Sequence, residues 1–131
     1  DVAFGADIIA GFPTETEAMF ARSLDLVDDC GLPQLHVFPF SPRPGTPAAR
    51  MPQLDRDVVK DRARRLRDKG EAALAAQLAR QVGARRRVLV ERGNVGHTAQ
   101  FLPVKLARPT APGIILDLTI AGHDGRRLLA A

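Results

Sequence analysis

Residues 36–52 read HVFPFSPRPGTPAARMP, an apolar run that breaks into a stretch with five prolines, one glycine and two arginines. Proline fixes φ and removes a backbone donor, so this density excludes both a helix interior and a central strand. The lead-in LHVFPF (35–40) therefore reads as a short strand that ends in a stiff, cationic loop. Upstream, FGADIIAGF (4–12) alternates and then runs continuously apolar up to Gly11 and Pro13, the pattern of a buried strand in a parallel sheet. Thr14 and Glu17 have capping-box spacing, and Met19, Phe20, Leu24, Leu26, Val27 and Cys30 follow near helical spacing until Gly31 and Pro33. The order is strand, helix, strand, a single βαβ unit. One parallel pair cannot bury both of its faces, so further strands are expected upstream and the chain reads as a piece of a longer protein.

Downstream of the loop, residues 55–83 (DRDVVKDRARRLRDKGEAALAAQLARQVG) predict a long helix with a possible break at Gly70. Val59, Ala63, Leu66, Ala73, Leu74 and Leu78 form its apolar stripe, and Arg56, Lys60, Arg64 and Arg67 a basic row on another face. From Arg85 the period changes to two. RRRVLVE (85–91), HTAQFLPVKL (97–106), IILDLTIAG (114–122) and the Asp-Gly turn of HDGRRLLA (123–130) predict short strands at roughly ten-residue spacing. That spacing suggests a small antiparallel barrel. In 114–120, Ile114, Leu116, Leu118 and Ile120 share one face, opposite Ile115, Asp117 and Thr119.

The net charge of +4 is unevenly placed. Residues 1–52 carry seven acids and three bases, residues 53–87 five acids and eleven bases, and residues 88–131 three acids and five bases. The basic middle fits either an anionic partner or a solvated helix face. All six aromatic residues are Phe, so any base stacking rests on few rings. The single cysteine excludes an internal disulfide and a cysteine-only metal site, and Cys30 reads as a small core residue. His36, His97 and His123 lack metal-ligand spacing; His36 reads as a strand residue with its polar atoms satisfied, the other two as surface residues near turns. No apolar run approaches the roughly 18 residues of a membrane span.

ADIIAGFPTETE (6–17), HVFPFSPRPGTPAARMP (36–52) and the tail from VLVE (88–91) through GHTAQFLPVKL (96–106) to GIILDLTIAGHDGRRLLA (113–130) resemble the C-terminal part of the radical S-adenosylmethionine methylthiotransferases. The wording is most similar to the branch that methylthiolates C2 of tRNA N6-threonylcarbamoyladenosine beside the anticodon. The resemblance implies an α/β region, the truncated βαβ end of a TIM-like radical barrel, followed by a small antiparallel OB-like β-barrel, a TRAM domain. It places the barrel end at 1–53, a connecting basic helix at 54–81 and the RNA-binding barrel at 82–131. It implies S-adenosylmethionine and two 4Fe–4S clusters in the full-length enzyme. With one cysteine here, this chain holds neither cluster and no metal, and carries no catalytic residue of its own. The implied partners are the tRNA anticodon arm and the rest of the polypeptide upstream, with no membrane, in the cytoplasm.

The same resemblance assigns site residues. Ile9 and Gly11 match an I-x-G pattern where backbone approaches the cofactor, and Phe38 is assigned to the cofactor as well; a glycine there also suits a tight strand-to-helix turn. Glu15 follows Gly11 by four residues where the family has three, and is left out of the site. Active sites of parallel α/β barrels lie at the C-terminal ends of strands, which delivers Phe40, Ser41 and Arg43 to the substrate rim. Arg43 would take a phosphate or carboxylate, held by its prolines at small entropy cost, whereas Arg50 reads as a local pairing residue. Arg85, Arg86, Arg87, Phe101, Lys105, Arg126 and Arg127 are the expected RNA contacts, dominated by phosphates. The competing readings are a free-standing RNA-binding module, or a methylthiotransferase acting on isopentenyladenosine or on a ribosomal protein.

Overall fold

The computed structural model describes residues 2–131. They fall into two compact units, residues 4–73 and residues 74–131 with Val2 and Ala3.

In the first unit β1 (Gly5–Ala10) and β2 (Gln34–Pro39) form a parallel pair that sets Ile9 beside Phe38 and Ala10 beside Pro39. Helix α1 (Glu17–Asp29) connects them. Its N-cap is Thr16, whose hydroxyl accepts from the Met19 amide at 3.2 Å, two residues beyond the Thr14 cap expected from spacing. Its C-terminus closes as a Schellman motif: Gly31, at φ +59°, donates to Asp28 O, and Leu32 donates to Val27 O. Cys30 occupies the C-cap and is exposed, so it is not a core residue. The core comprises Ala10, Phe20, Val27 and Leu32 with Ala63 and Leu66 of helix α2 (Arg56–Ala79), and Ile8, Leu35 and Val37 packed against it. The opposite face of the pair is open, with Ile9 58% and Phe38 51% exposed. The strand predicted to be buried is thus buried on one side only.

Helix α2 continues through Gly70 without a break. A Cβ at Gly70 would stand 3.0 Å from Leu35 Cδ1, so this glycine permits close packing rather than a kink. Val59, Ala63, Leu66 and Leu78, all from the predicted stripe, are buried.

In the second unit β3 (Arg85–Arg92), β4 (Val95–Thr98), β5 (Pro103–Lys105), β6 (Ile115–His123) and β7 (Leu128–Ala130) close a barrel in the order β3-β4-β5-β7-β6. Each pairing is antiparallel except β5 with β7, the parallel contact that completes the ring. The expected OB-like barrel is therefore present, with this one parallel closure. Val88, Val90, Leu102, Val104, Leu106, Ile120 and Leu128 fill it, with Leu78 from the end of α2. Gly96 has a strict steric reason: a Cβ there would stand 2.4 Å from Leu89 O.

Candidate nucleic-acid interface and strand-end rim

At the C-terminal end of the parallel pair, the Phe40 amide donates to Ala10 O at 2.7 Å, which brings the two exits together. Phe12 and Phe40 meet edge to face with ring centroids 5.4 Å apart. Gly11, at φ +85°, is buried, and a Cβ on it would stand 2.7 Å from Val59. Its amide donates to Glu15 Oε1 at 3.0 Å. Arg62 of α2 donates to the same oxygen at 2.9 Å and to Glu15 O at 2.8 Å, and its other terminal nitrogen lies 3.3 Å from Glu17. Glu15, set aside at the sequence level, is thus the tie between the turn and α2. Arg62 was hidden in sequence among neighbouring cations, although its position three after Val59 and four before Leu66 puts it on the inward flank of the helix. Glu17 is held below the ordinary carboxylate range, chiefly by the hydrogen bond from Arg65.

The proline-rich loop is ordered by its own hydrogen bonds. Thr46 N and Oγ1 both donate to Arg43 O, and Thr46 Oγ1 accepts from the Ala49 amide that opens a short 3-10 turn, Ala48–Arg50. Gln53 Nε2 donates to Ala48 O and Met51 O, each at 2.9 Å. Ser41 and Arg43 are exposed and Phe40 half-buried. Among the described residues the guanidinium groups of Arg43 and Arg50 have no ion-pair or hydrogen-bond partner, so the local pairing expected for Arg50 is absent. The basic row of α2 is largely used internally: Arg64 bridges Asp61 and Asp68, Arg56 donates to Phe40 O and Arg67 to Val37 O.

On the barrel, Arg85, Arg87, Lys105 and Arg126 are exposed, with no partner for their charged groups among the described residues. Arg86 is turned to Gln81, at 2.8 Å, and Arg127 lies 3.6 Å from Asp124. Asp124 accepts from the Arg126 and Arg127 amides, which hold its carboxyl below the usual range and fix the β6–β7 turn. His123 Nδ1 accepts from Gly125 N, and His36 is exposed. His97 Nδ1 is 2.9 Å from Glu91 Oε1 and its ring stacks on Phe101. Phe101 is 66% exposed, the most open aromatic ring of the barrel. No group of three or more His, Cys, Asp or Glu among the described residues is placed to hold a metal ion, and no helix among them is long and apolar enough to cross a membrane.

No family model matches the chain. Among curated proteins it is 47% identical, over 95% of its length, to the threonylcarbamoyladenosine tRNA methylthiotransferase MtaB of Rickettsia prowazekii. It is 44% identical over 70% of its length to the tRNA-2-methylthio-N(6)-dimethylallyladenosine synthase of Aquifex aeolicus, and 41% identical over 70% to the MtaB protein of Thermotoga maritima. The chain spans 30% of the length of the first relative and 21% of each of the other two. With a βαβ unit, a cationic proline loop and a closed basic barrel in that order, and with this identity along most of its length, the chain belongs to the radical S-adenosylmethionine methylthiotransferase family.

Proposed function

We propose that the chain is the C-terminal part of an enzyme that methylthiolates C2 of N6-threonylcarbamoyladenosine beside the tRNA anticodon. The observation that carries this reading is the 47% identity to an MtaB protein across nearly the whole chain. Residues 1–53 would end the catalytic barrel, 54–81 connect, and 82–131 anchor the tRNA anticodon arm, in the cytoplasm. The cations Arg85, Arg87, Lys105 and Arg126, unpartnered among the described residues, support the anchor, because an RNA backbone offers them counter-charge. Arg86 and Arg127 have internal partners and would contribute less.

Methylthiotransferases of this family use S-adenosylmethionine and iron–sulfur clusters. A cluster does not fit here: one cysteine and no metal-binding group among the described residues leave its ligands elsewhere in the full-length enzyme. For S-adenosylmethionine the fit is partial. Ile9 and Phe38 lie side by side on the open sheet face and offer a flat apolar surface to a heterocycle. The Gly11 amide is already taken by Glu15, so Gly11 would shape the turn instead of donating to the cofactor. Phe40, Ser41 and Arg43 would face the substrate, with Arg43 meeting a phosphate or the threonyl carboxylate.

The test is mass spectrometry of modified nucleosides in tRNA from a deletion strain. Loss of the methylthio form of threonylcarbamoyladenosine is expected. Normal levels of it would overturn the reading, and loss of the methylthio isopentenyladenosine form instead would transfer it to the activity named for the Aquifex relative. In the full-length enzyme, Arg43→Ala should lower turnover by about tenfold or more with little change in melting temperature.

A further inference from the structure

The barrel carries an outward groove that its basic residues alone do not explain. In the strand register Leu89 of β3 sits between His97 of β4 and Ile115 of β6, so the three side chains stand abreast. Leu89 is 44% and Ile115 54% exposed, a contiguous apolar pair left in water on the outer face of the barrel. With Arg87, Thr98 and Ala99 they line a groove of about 290 Å³. Typical pockets for whole small molecules run from roughly 300 to 1,000 Å³, so this groove suits a single flat heterocycle.

The backbone supplies a second observation. Phe101 is the one described non-glycine residue with positive φ, +62°. That conformation is costly for a bulky side chain and persists only where its surroundings impose it. Thr98 imposes it, its carbonyl accepting from the Phe101 amide at 2.9 Å and its hydroxyl from the Leu102 amide at 3.2 Å. The result is a phenyl ring turned out to solvent and stacked on His97, centroids 4.6 Å apart and planes 12° apart. The core gains nothing from this ring; Leu102, next in the chain, fills the barrel instead. The edge of the groove thus ends in a two-ring stack that extends outward. Arg87 stands at its rim and Arg85 lies two residues along the same face of β3, both without an ion-pair partner among the described residues.

We propose that this groove receives one unpaired nucleobase of a bound RNA. The base lies along Leu89 and Ile115 beside the His97–Phe101 stack, and Arg87 and Arg85 meet the adjoining phosphates. Charge complementarity selects RNA over an apolar peptide: Arg87 and Arg85 lack an ion-pair partner among the described residues, and the one acid across the strand pair, Asp117 opposite Arg87, leaves the edge net cationic. The inference rests on the RNA-anchor reading but adds a preference for single-stranded over paired RNA. It also adds a face, spanning β3, β4 and β6, other than the β4–β5 side that an OB-type barrel commonly uses.

The test is titration of the full 131-residue chain with two RNAs of equal length and charge, each carrying 2-aminopurine: one single strand and one fully paired hairpin. The single strand should bind about fivefold or more tightly, with a change in 2-aminopurine emission. The double variant Leu89→Thr/Ile115→Thr should abolish that preference and the emission change while keeping the salt slope. Should that variant melt early, Phe101→Leu, at a solvent-facing position, carries the same expectation. Arg85→Gln/Arg87→Gln should flatten the salt slope for both RNAs. A preference that survives the groove variants while the arginine variant still flattens the slope overturns the groove and leaves the anchor reading intact. Failure to bind either RNA at low salt overturns both. Self-association that disappears in the Leu89→Thr/Ile115→Thr variant would assign the groove to a second copy of the chain and equally overturn the proposal.

Discussion

In the barrel every strand has two partners, and the core among its described residues is enclosed by them. In the βαβ unit β1 and β2 have only each other, and their outward side leaves Ile9 and Phe38 more than half exposed. The barrel is held by apolar packing inside a closed hydrogen-bonded ring. The βαβ unit has a smaller core and adds charged ties from α2: Arg62 to Glu15 and Glu17, Arg65 to Glu17, and Lys69 to Asp28. Only the first is buried, with side-chain exposures of 7% for Arg62 and 12% for Glu15; the others are open to solvent, screened by it, and contribute little. The two units should therefore fail separately, and for different reasons.

The largest effect is expected at Arg62. Arg62→Met strands the Glu15 carboxylate in a nearly dry site and should cost the βαβ unit about 3–5 kcal/mol. Hydrogen exchange by mass spectrometry should show lost protection at Gly11 and along α1, with β3 and β6 as internal controls. Adding Glu15→Leu should restore most of the loss, because a buried pair replaced by apolar groups is close to neutral. An equal loss of protection in the barrel would break the comparison.

The converse experiment removes barrel packing. Leu128 is fully buried on β7, beside the parallel contact that closes the ring. Leu128→Ala should cost about 2–5 kcal/mol and release β5, β6 and β7 to exchange, with α1 amides unaffected.

These asymmetries were partly legible in the sequence. Period-two alternation picked out Leu116, Leu118 and Ile120 as the inward side of β6, because one face of a barrel strand is core, but Ile114, read as sharing that face, precedes the strand and is 42% exposed. The apolar stripe of α2 held for the same reason. What failed were local features that depend on a partner distant in sequence. Continuous apolar character in 8–12 implied burial on both sides, but Ile9 has no covering layer among the described residues. Gly70 read as a breaker, and its actual role is set by Leu35, thirty-five positions away. Arg62 looked like one cation among many, and only the fold shows that it alone points inward at Glu15. Of the candidate site, the exposed cations and Phe101 were legible as residue types. The groove was not, because Leu89, His97 and Ile115 become neighbours only through strand register.

Gly70→Ala sharpens the packing side of the comparison at a smaller scale. Alanine in a helix interior gains about 1 kcal/mol over glycine, whereas overpacking costs about 1–3 kcal/mol. The neighbours are Leu35 Cδ1, Cβ and Cγ, 3.0, 3.1 and 3.3 Å from the new Cβ, and the Leu35 Cβ cannot rotate out of the way, so the cost should lie in the middle of that range. A net loss of roughly 1 kcal/mol or less is expected in thermal unfolding. A gain would mean that Leu35 has room to turn aside and that the βαβ core is looser than the barrel's.

The smallest effect belongs to the β6–β7 turn, where the barrel does use a charge. The Asp124 carboxylate accepts from the amides of Arg126 and Arg127 at 2.9 and 2.7 Å, which lowers its folded pKa below the ordinary value of 3.8. A depressed acid contributes stability that is complete above its unfolded pKa and is lost as pH falls through the folded one. The turn should thus be insensitive to this group at neutral pH and loosen only below about pH 4. Asp124→Asn keeps an oxygen acceptor but cannot change charge there, so it should behave almost as the parent at pH 7 and lose the parent's acid-dependent step. Amide exchange at Arg126 and Arg127 across pH 2–6, as the difference between the two proteins, reads this directly. His123, which accepts from Gly125 in the same turn, is common to both proteins and cancels in the difference. A step of equal size in both would place the acid sensitivity of the turn elsewhere and leave the barrel, like its core, indifferent to charge.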